Sequence, residues 1–263
     1  MIHIQSRDNP LVKRIHALST SGRERRKQGL TVLDGAHLVA AARDAGVLLS
    51  QLVVSDSGLA SDEHQALIAR LEGHCPLAIL PDKLFAHVSA VDTPSGLLAL
   101  MAMPAPVETV SIGPDSLVVL DGVQDAGNLG TLLRTAAAAG IRRALLTEGC
   151  AQAWSPRVLR AGMGAHFVMQ LDERIDALAA LAGFPGRIAA TVLGARSQSV
   201  FDVDLSGPTA WLFGAEGRGL SAPLQALADT QVHIPMPGRI ESLNVAAAAA
   251  ICLFEQVRQQ RDS

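Results

Sequence analysis

Three stretches of this chain set polar side chains among glycines or apolar residues in patterns that a plain turn does not call for. The first runs from Leu120 to Ala136. It carries Gly122, Gly127 and Gly130, then Asn128, and then Arg134 amid Leu132, Leu133 and a run of alanines. A guanidinium on so apolar a helix cannot be buried alone; it must reach solvent, an acid or an anionic ligand. Asn128 suits the N-cap of that helix. The second stretch is Trp211-Leu-Phe-Gly-Ala-Glu-Gly-Arg-Gly-Leu-Ser221. Gly214, Gly217 and Gly219 let the backbone pass close to a ligand or adopt positive φ. Glu216 stands between two of them as a hydrogen-bond acceptor. The third is His233-Ile-Pro-Met-Pro-Gly-Arg-Ile-Glu-Ser-Leu-Asn-Val245. There Ser242 and Asn244 sit at a helix start, where backbone N–H groups are free. Capping accounts for one of the two. The first stretch is neither a GxGxxG dinucleotide fingerprint nor a P-loop.

All three follow short apolar runs, and ligands of open α/β sheets bind outside the carboxyl ends of the strands. Strands are expected at Leu117–Leu120, Ala144–Thr147, Phe167–Met169, Ile188–Leu193, Ala210–Phe213 and Val232–Met236. Helices lie between most of them, and a last helix is expected over Ser242–Gln260. This pattern predicts a parallel sheet covered on both faces. Upstream, strands at Thr31–Asp34, Gln51–Val54, Leu77–Leu80 and Gly96–Met103 alternate with helices at Ala36–Ala45, Asp62–Leu71 and near Lys83–Ser89, a second and smaller α/β layer. The proline-rich stretch 104–114 reads as a linker. Domains are therefore expected at 1–103 and 115–263.

The composition narrows the function classes. With 49% hydrophobic and 18% charged residues, the chain can pack a core and is not disordered. Aromatics make up 3%, with no Tyr, so a broad base-stacking surface is not its main device. Net charge is −3, yet residues 1–30 carry seven basic side chains against two acidic ones, as an anion-binding arm would. The basic residues singled out are Lys13, Arg14, Arg23, Arg25, Arg26 and Lys27; a solvated, partly frayed helix is the plainer reading. Cys75, Cys150 and Cys252 form no CxxC, so neither a disulfide framework nor a metal site is expected, and a reducing cytoplasm suits them. No leader-type h-region and no apolar run of about 18 residues is present, so no membrane partner is expected.

Taken in order, Asn128…Arg134, Gly214-x-Glu216-x-x-Gly219 and Ile234-Pro-Met…Ser242-Leu-Asn-Val245 resemble the three motifs of the SpoU-type (TrmH-like) RNA ribose methyltransferases of the SPOUT superfamily. Upstream, Ser6-x-x-Asn-Pro-Leu-Val-Lys13, Leu33-Asp-Gly-Ala-His-Leu38 and Thr93-Pro-Ser-Gly-Leu-Leu98 resemble the family's small substrate-binding domain. The resemblance implies a deep trefoil knot in the C-terminal domain. It implies S-adenosylmethionine bound by Gly214, Ile234 and Leu243, with Met236 and Leu212 as lesser contacts. It also implies a homodimer whose site draws on both subunits, and transfer to a ribose 2′-hydroxyl of RNA. Ribosomal RNA is the first expectation and transfer RNA the second. Arg134, Asn128, Glu216, Ser242 and Asn244 are the implied catalytic group. The chain departs from the pattern at Ala126, where proline is common, at Ala246, where serine is common, and at Asp34, where glutamate is usual. A non-catalytic RNA-binding protein with the same fold, or an α/β enzyme acting on a small nucleotide, are the alternatives.

Overall fold

A computed structural model describes residues 1–91, 93–105, 112–194 and 196–261. Residues 106–111 of the expected linker lie outside them. Two compact units emerge. One is Met1–Ala105 with Trp154–Phe167; the other comprises the described residues of Pro106–Ala153 and Val168–Ser263. Trp154–Phe167, which a division at the linker would give to the second half, thus packs with the first.

The first unit is a five-stranded mixed sheet. Its strands are β1 (Ile2–His3), β2 (Leu30–Asp34), β3 (Leu49–Ser55), β4 (Leu77–Leu80) and β5 (Leu97–Ala102), in the order β1-β4-β3-β5-β2. β5 runs antiparallel to both neighbours. Its helices are α1 (Pro10–Thr20), α2 (Gly22–Gln28), α3 (Ala36–Asp44), α4 (Asp56–Leu59), α5 (Asp62–Leu71) and α6 (Asp82–Val88). The basic N-terminal stretch is two capped helices rather than an arm. Asn9 accepts from the Leu11 N–H ahead of Pro10, which opens α1. Ser21 accepts from the Glu24 N–H, and Gly29 closes α2 in the left-handed region. Val12, Ile15 and Leu18 bury the inner face of α1 against Val32, Val53, Phe85 and Leu98.

The second unit is a seven-stranded sheet, parallel throughout. It contains β6 (Leu117–Asp121), β7 (Arg143–Leu146), β8 (Gln170–Glu173), β9 (Arg187–Thr191), β10 (Gln198–Ser199), β11 (Thr209–Gly214) and β12 (Thr230–His233), in the order β10-β12-β9-β11-β6-β7-β8. Continuous apolar runs such as Leu117–Leu120 suit strands covered on both faces. Its helices are α7 (Ala126–Ala138), α9 (Ala177–Leu181), α10 (Ala222–Leu227) and α11 (Val245–Arg261); α8 (Pro156–Gly162) belongs to the first unit. α7 packs on α11. Trp211, wholly buried in β11, donates its indole N–H to Gln256 of α11 at 2.7 Å.

Three expectations shift. The α7 cap is Asp125, whose carboxylate accepts from the Asn128 N–H at 2.7 Å, so the helix starts before Asn128. No strand covers Phe167–Met169. A 3-10 turn occupies Ala165–Phe167 and the strand is the more polar Gln170–Glu173, where buried Asp172 meets Arg143 of β7 at 2.8 Å. α11 begins at Val245 because Asn244 caps it, accepting from the N–H groups of Ala246 and Ala247 at 2.9 and 3.3 Å.

Candidate active site

The carboxyl ends of β6, β11 and β12 carry the loops singled out from the sequence. At the end of β11 the chain doubles back on itself. Gly219, at φ +66°, donates its N–H to the Ala215 carbonyl at 2.7 Å. A Cβ on Gly214 would stand 2.2 Å from the backbone of Gly219 and of Leu220, so only glycine fits there. This tight return lifts Glu216 to an exposed tip.

Asp121, at the end of β6, braces the loop base. Its carboxylate accepts from the Ser221 N–H at 2.8 Å and from the Thr147 hydroxyl at 2.9 Å. The Thr147 oxygen in turn accepts from the Gly122 N–H at 3.1 Å. The Asn128 loop and the Glu216 loop thus share one anchor.

Above that anchor the three stretches meet. The Asn128 carboxamide donates to the Glu216 carboxylate. The Asn244 carboxamide donates to the Asn128 oxygen at 2.9 Å and to Glu216 at 3.3 Å. Glu216, an acceptor only when ionised, is held by two donors. Asn244 uses its oxygen for the α11 cap and its nitrogen for the site.

Beside this triangle lies a cavity of about 400 Å³, lined by Gly214, Ile234, Met236, Ser242 and Leu243 as well as Glu216. Leu212 is not at its wall: it is fully buried in the sheet, where its carbonyl accepts from the Thr191 hydroxyl at 3.0 Å. The sequence reading missed Thr191, the last residue of β9, Leu193 just past it, and the α11 face of Val245, Ala248 and Cys252. The i, i+3, i+7 spacing of that face was the available signal. Burial pushes the Cys252 thiol up to about 12, so it lines the cavity as a neutral group.

Arg134 does not line the cavity. It is exposed on α7, in a stripe with Gly127, Thr131 and Ala138, and has no hydrogen-bond or ion-pair partner among the described residues. Of the three destinations open to it from the sequence, it takes solvent in this chain.

Among the basic residues of the first unit, Arg23, Arg26 and Lys27 are exposed on α2. Lys13 pairs with Asp8 at 2.8 Å, and Arg14 donates to Gln28 at 2.9 Å. Arg25 corrects the expectation of a surface contact. It is buried and donates to the Leu18 carbonyl at 2.8 Å, which joins α2 to α1.

Residues 115–254 match the SpoU rRNA Methylase family, and residues 9–99 match the MRM3-like substrate binding domain. The chain is 34% identical to an uncharacterised tRNA/rRNA methyltransferase of Synechocystis, over 98% of this chain and 94% of that one. It is 33% identical to the 23S rRNA (guanosine(2553)-2′-O)-methyltransferase RlmP of Bacillus subtilis, over 97% and 98%. Among solved structures, an RNA 2′-O ribose methyltransferase superposes with TM-score 0.86 at 32% identity, covering 98% of this chain and 99% of its own. An AdoMet-bound rRNA methyltransferase from Sinorhizobium meliloti superposes with TM-score 0.82 at 29% identity, covering 98% of each. With its three motif segments joined by hydrogen bonds beside one cavity and these matches spanning nearly its whole length, the chain belongs to the SpoU rRNA methylase family.

Proposed function

We propose that this protein transfers the methyl group of S-adenosylmethionine to a ribose 2′-hydroxyl of ribosomal RNA. The observation that carries this reading is the hydrogen-bonded Asn128–Glu216–Asn244 triangle beside the cavity lined by Gly214, Ile234 and Leu243. The names of RlmP and of the AdoMet-bound relative support the same substrate and cofactor.

The cavity suits the cofactor. Its volume falls within the range of small-molecule sites, and apolar side chains with loop backbone suit an adenine slot. Gly214, Ile234 and Leu243 would hold it, with Met236 at the same wall. When bound, S-adenosylmethionine supplies the methyl group and the sulfonium that leaves it.

The remaining chemistry falls to the chain. A ribose 2′-hydroxyl is a weak acid, so its attack requires proton removal or stabilisation of the developing charge. A guanidinium offers donors and positive charge but no acceptor, so Arg134 grips the neighbouring phosphate and stabilises the alkoxide rather than acting as a base. Asn128 and Asn244 fix the Glu216 carboxylate, and Ser242 stands at the cavity wall. These four position the ribose and Arg134, and the hydroxyl proton passes to Glu216, to Ser242 or to the neighbouring phosphate.

Because Arg134 is exposed and does not line its own cavity, the reading includes a homodimer in which the α7 stripe meets a second copy. It also includes the trefoil knot, the domain division at 104–114 and a cytoplasmic location. Among the described residues no helix is long and apolar enough to cross a membrane.

Two measurements decide the reading. Calorimetry should give one S-adenosylmethionine site per chain. Ribosomal RNA from a deletion strain should gain a single 2′-O-methyl on incubation with protein and labelled cofactor. Cofactor binding without methyl transfer to ribosomal RNA, or transfer to transfer RNA instead, would reject it.

A further inference from the structure

The first unit contains a cavity of its own, about 580 Å³. The two segments 33–38 and 93–98, which set this domain apart in the sequence, meet there and take no part in the cofactor site. Asp34, Ser95 and Arg160 are among its lining residues. Asp34 is buried and accepts from Ser89 at 2.5 Å, from the Arg160 guanidinium at 3.3 Å and from Ser95 at 3.5 Å. His64, also buried, donates from Nδ1 to the Gly58 carbonyl at 2.8 Å, which leaves Nε2 as an acceptor in the neutral ring. The wall behind is backbone against backbone: a Cβ on Gly58 would stand 2.4 Å from the Gly96 carbonyl oxygen. At the mouth stand His37, with its side chain 80% exposed, and Met163, 45% exposed.

We infer that this cavity receives one unstacked nucleobase of the RNA substrate, clasped between His37 and Met163 and read at its polar edge by His64 and by Arg160, which the buried Asp34 carboxylate holds in place. The inference rests on the reading that the protein acts on RNA, and it concerns a site separate from the methyl-transfer centre. A base is favoured over a phosphate by charge. The acids Asp34 and Glu63 outnumber the guanidinium of Arg160, so the lining offers donors and acceptors together and no net positive field. A phosphate asks only for donors and cations. Imidazole faces stack on splayed bases, and a thioether packs against aromatic rings. A chain with 3% aromatic residues has no broad stacking platform, but a single pocket of this kind requires none.

The test uses the full chain and ribosomal RNA from the deletion strain. His37→Ala with Met163→Ala should weaken RNA binding roughly tenfold or more and raise the KM for RNA by the same factor. Cofactor affinity and Tm should stay unchanged, since both residues are exposed. His37→Phe, which keeps a flat face, should retain most of the affinity. The slope of log K against log salt should match wild type, because the cations that neutralise phosphates are all still in place. An unaltered RNA affinity in the double variant, a reduced salt slope, or equal losses in His37→Phe and His37→Ala would overturn the inference. RNA binding that depends on His37 and Met163 without methyl transfer would sink the functional reading and leave this one standing. Normal transfer by the double variant would do the reverse.

Discussion

Asn128 in the first turn of α7 and Glu216 at the tip of the loop after β11, 88 residues apart in the chain, are joined by a direct hydrogen bond. The bond needs a carboxamide donor against a carboxylate. Asn128→Asp puts two acids in its place, and like charges at that range repel. Turnover should fall roughly 10²-fold or more, as when a preorganised donor is removed. S-adenosylmethionine affinity should hold, because Asn128 is not among the cavity-lining residues. Calorimetry beside a methyl-transfer assay checks both.

Asn244 has two tasks that substitution can separate. Asn244→Asp keeps an oxygen for the α11 cap and suits the helix N-terminus, yet it loses both donations to the site. Its Tm should stay near wild type while activity collapses. Asn244→Ala should lose activity and also about 1 kcal/mol of stability with the cap. Thermal denaturation of the two variants side by side distinguishes them.

Arg134→Ala should abolish methyl transfer and spare cofactor binding. The exposed, unpartnered guanidinium contributes nothing visible to the fold, so Tm should move by less than about 1 °C. Near-wild-type turnover in this variant would remove Arg134 from the mechanism. If its role is exercised across a dimer, a mixture of Arg134→Ala and Asn128→Asp chains should regain part of the activity that neither has alone.

Gly214→Ala forces a methyl group into the backbone of Gly219 and Leu220, so the loop must open. We expect a cost of about 1–3 kcal/mol together with loss of S-adenosylmethionine binding. Tm and calorimetry report the two effects separately.

On the basic face, Arg23, Arg26 and Lys27 replaced together by Ala should weaken RNA binding and flatten its salt dependence, by roughly 0.7 in slope for each single-strand phosphate left without its cation. Arg25→Ala should behave differently. It removes a buried hydrogen bond to the Leu18 carbonyl, so Tm should drop while the salt slope stays.

Much of this architecture was legible because buried strands leave a plain mark. Leu77–Leu80 and Leu117–Leu120 read as apolar runs closed by turn residues, and the sheets hold them there. The helix starts were harder. Asp125 and Asn128 are both cap residues three positions apart, and propensity does not choose between them; the carboxylate wins because its oxygen reaches the Asn128 N–H. Phe167-Val-Met169 has strand composition, but β8 forms just beyond it, where Asp172 can meet Arg143. Arg25 looked like its neighbours in a basic run. Only the packing of α2 on α1 turns it inward. In the active site the participants were readable by type. Their division of labour was not, since Asn244 caps a helix and binds its neighbours with opposite ends of one amide.

The segment Trp154–Phe167 bears on how such a protein can be taken apart. Trp154 offers its carbonyl to the buried Thr31 hydroxyl at 2.7 Å, and Arg160 reaches the buried Asp34 carboxylate. Both partners come from chain that lies beyond the proline-rich stretch. A gene cut there would yield a front half with a stranded acid and an orphaned hydroxyl in its interior. Swapping RNA specificities between relatives by exchanging front halves would therefore need this short downstream segment to travel with them, as two insertions rather than one.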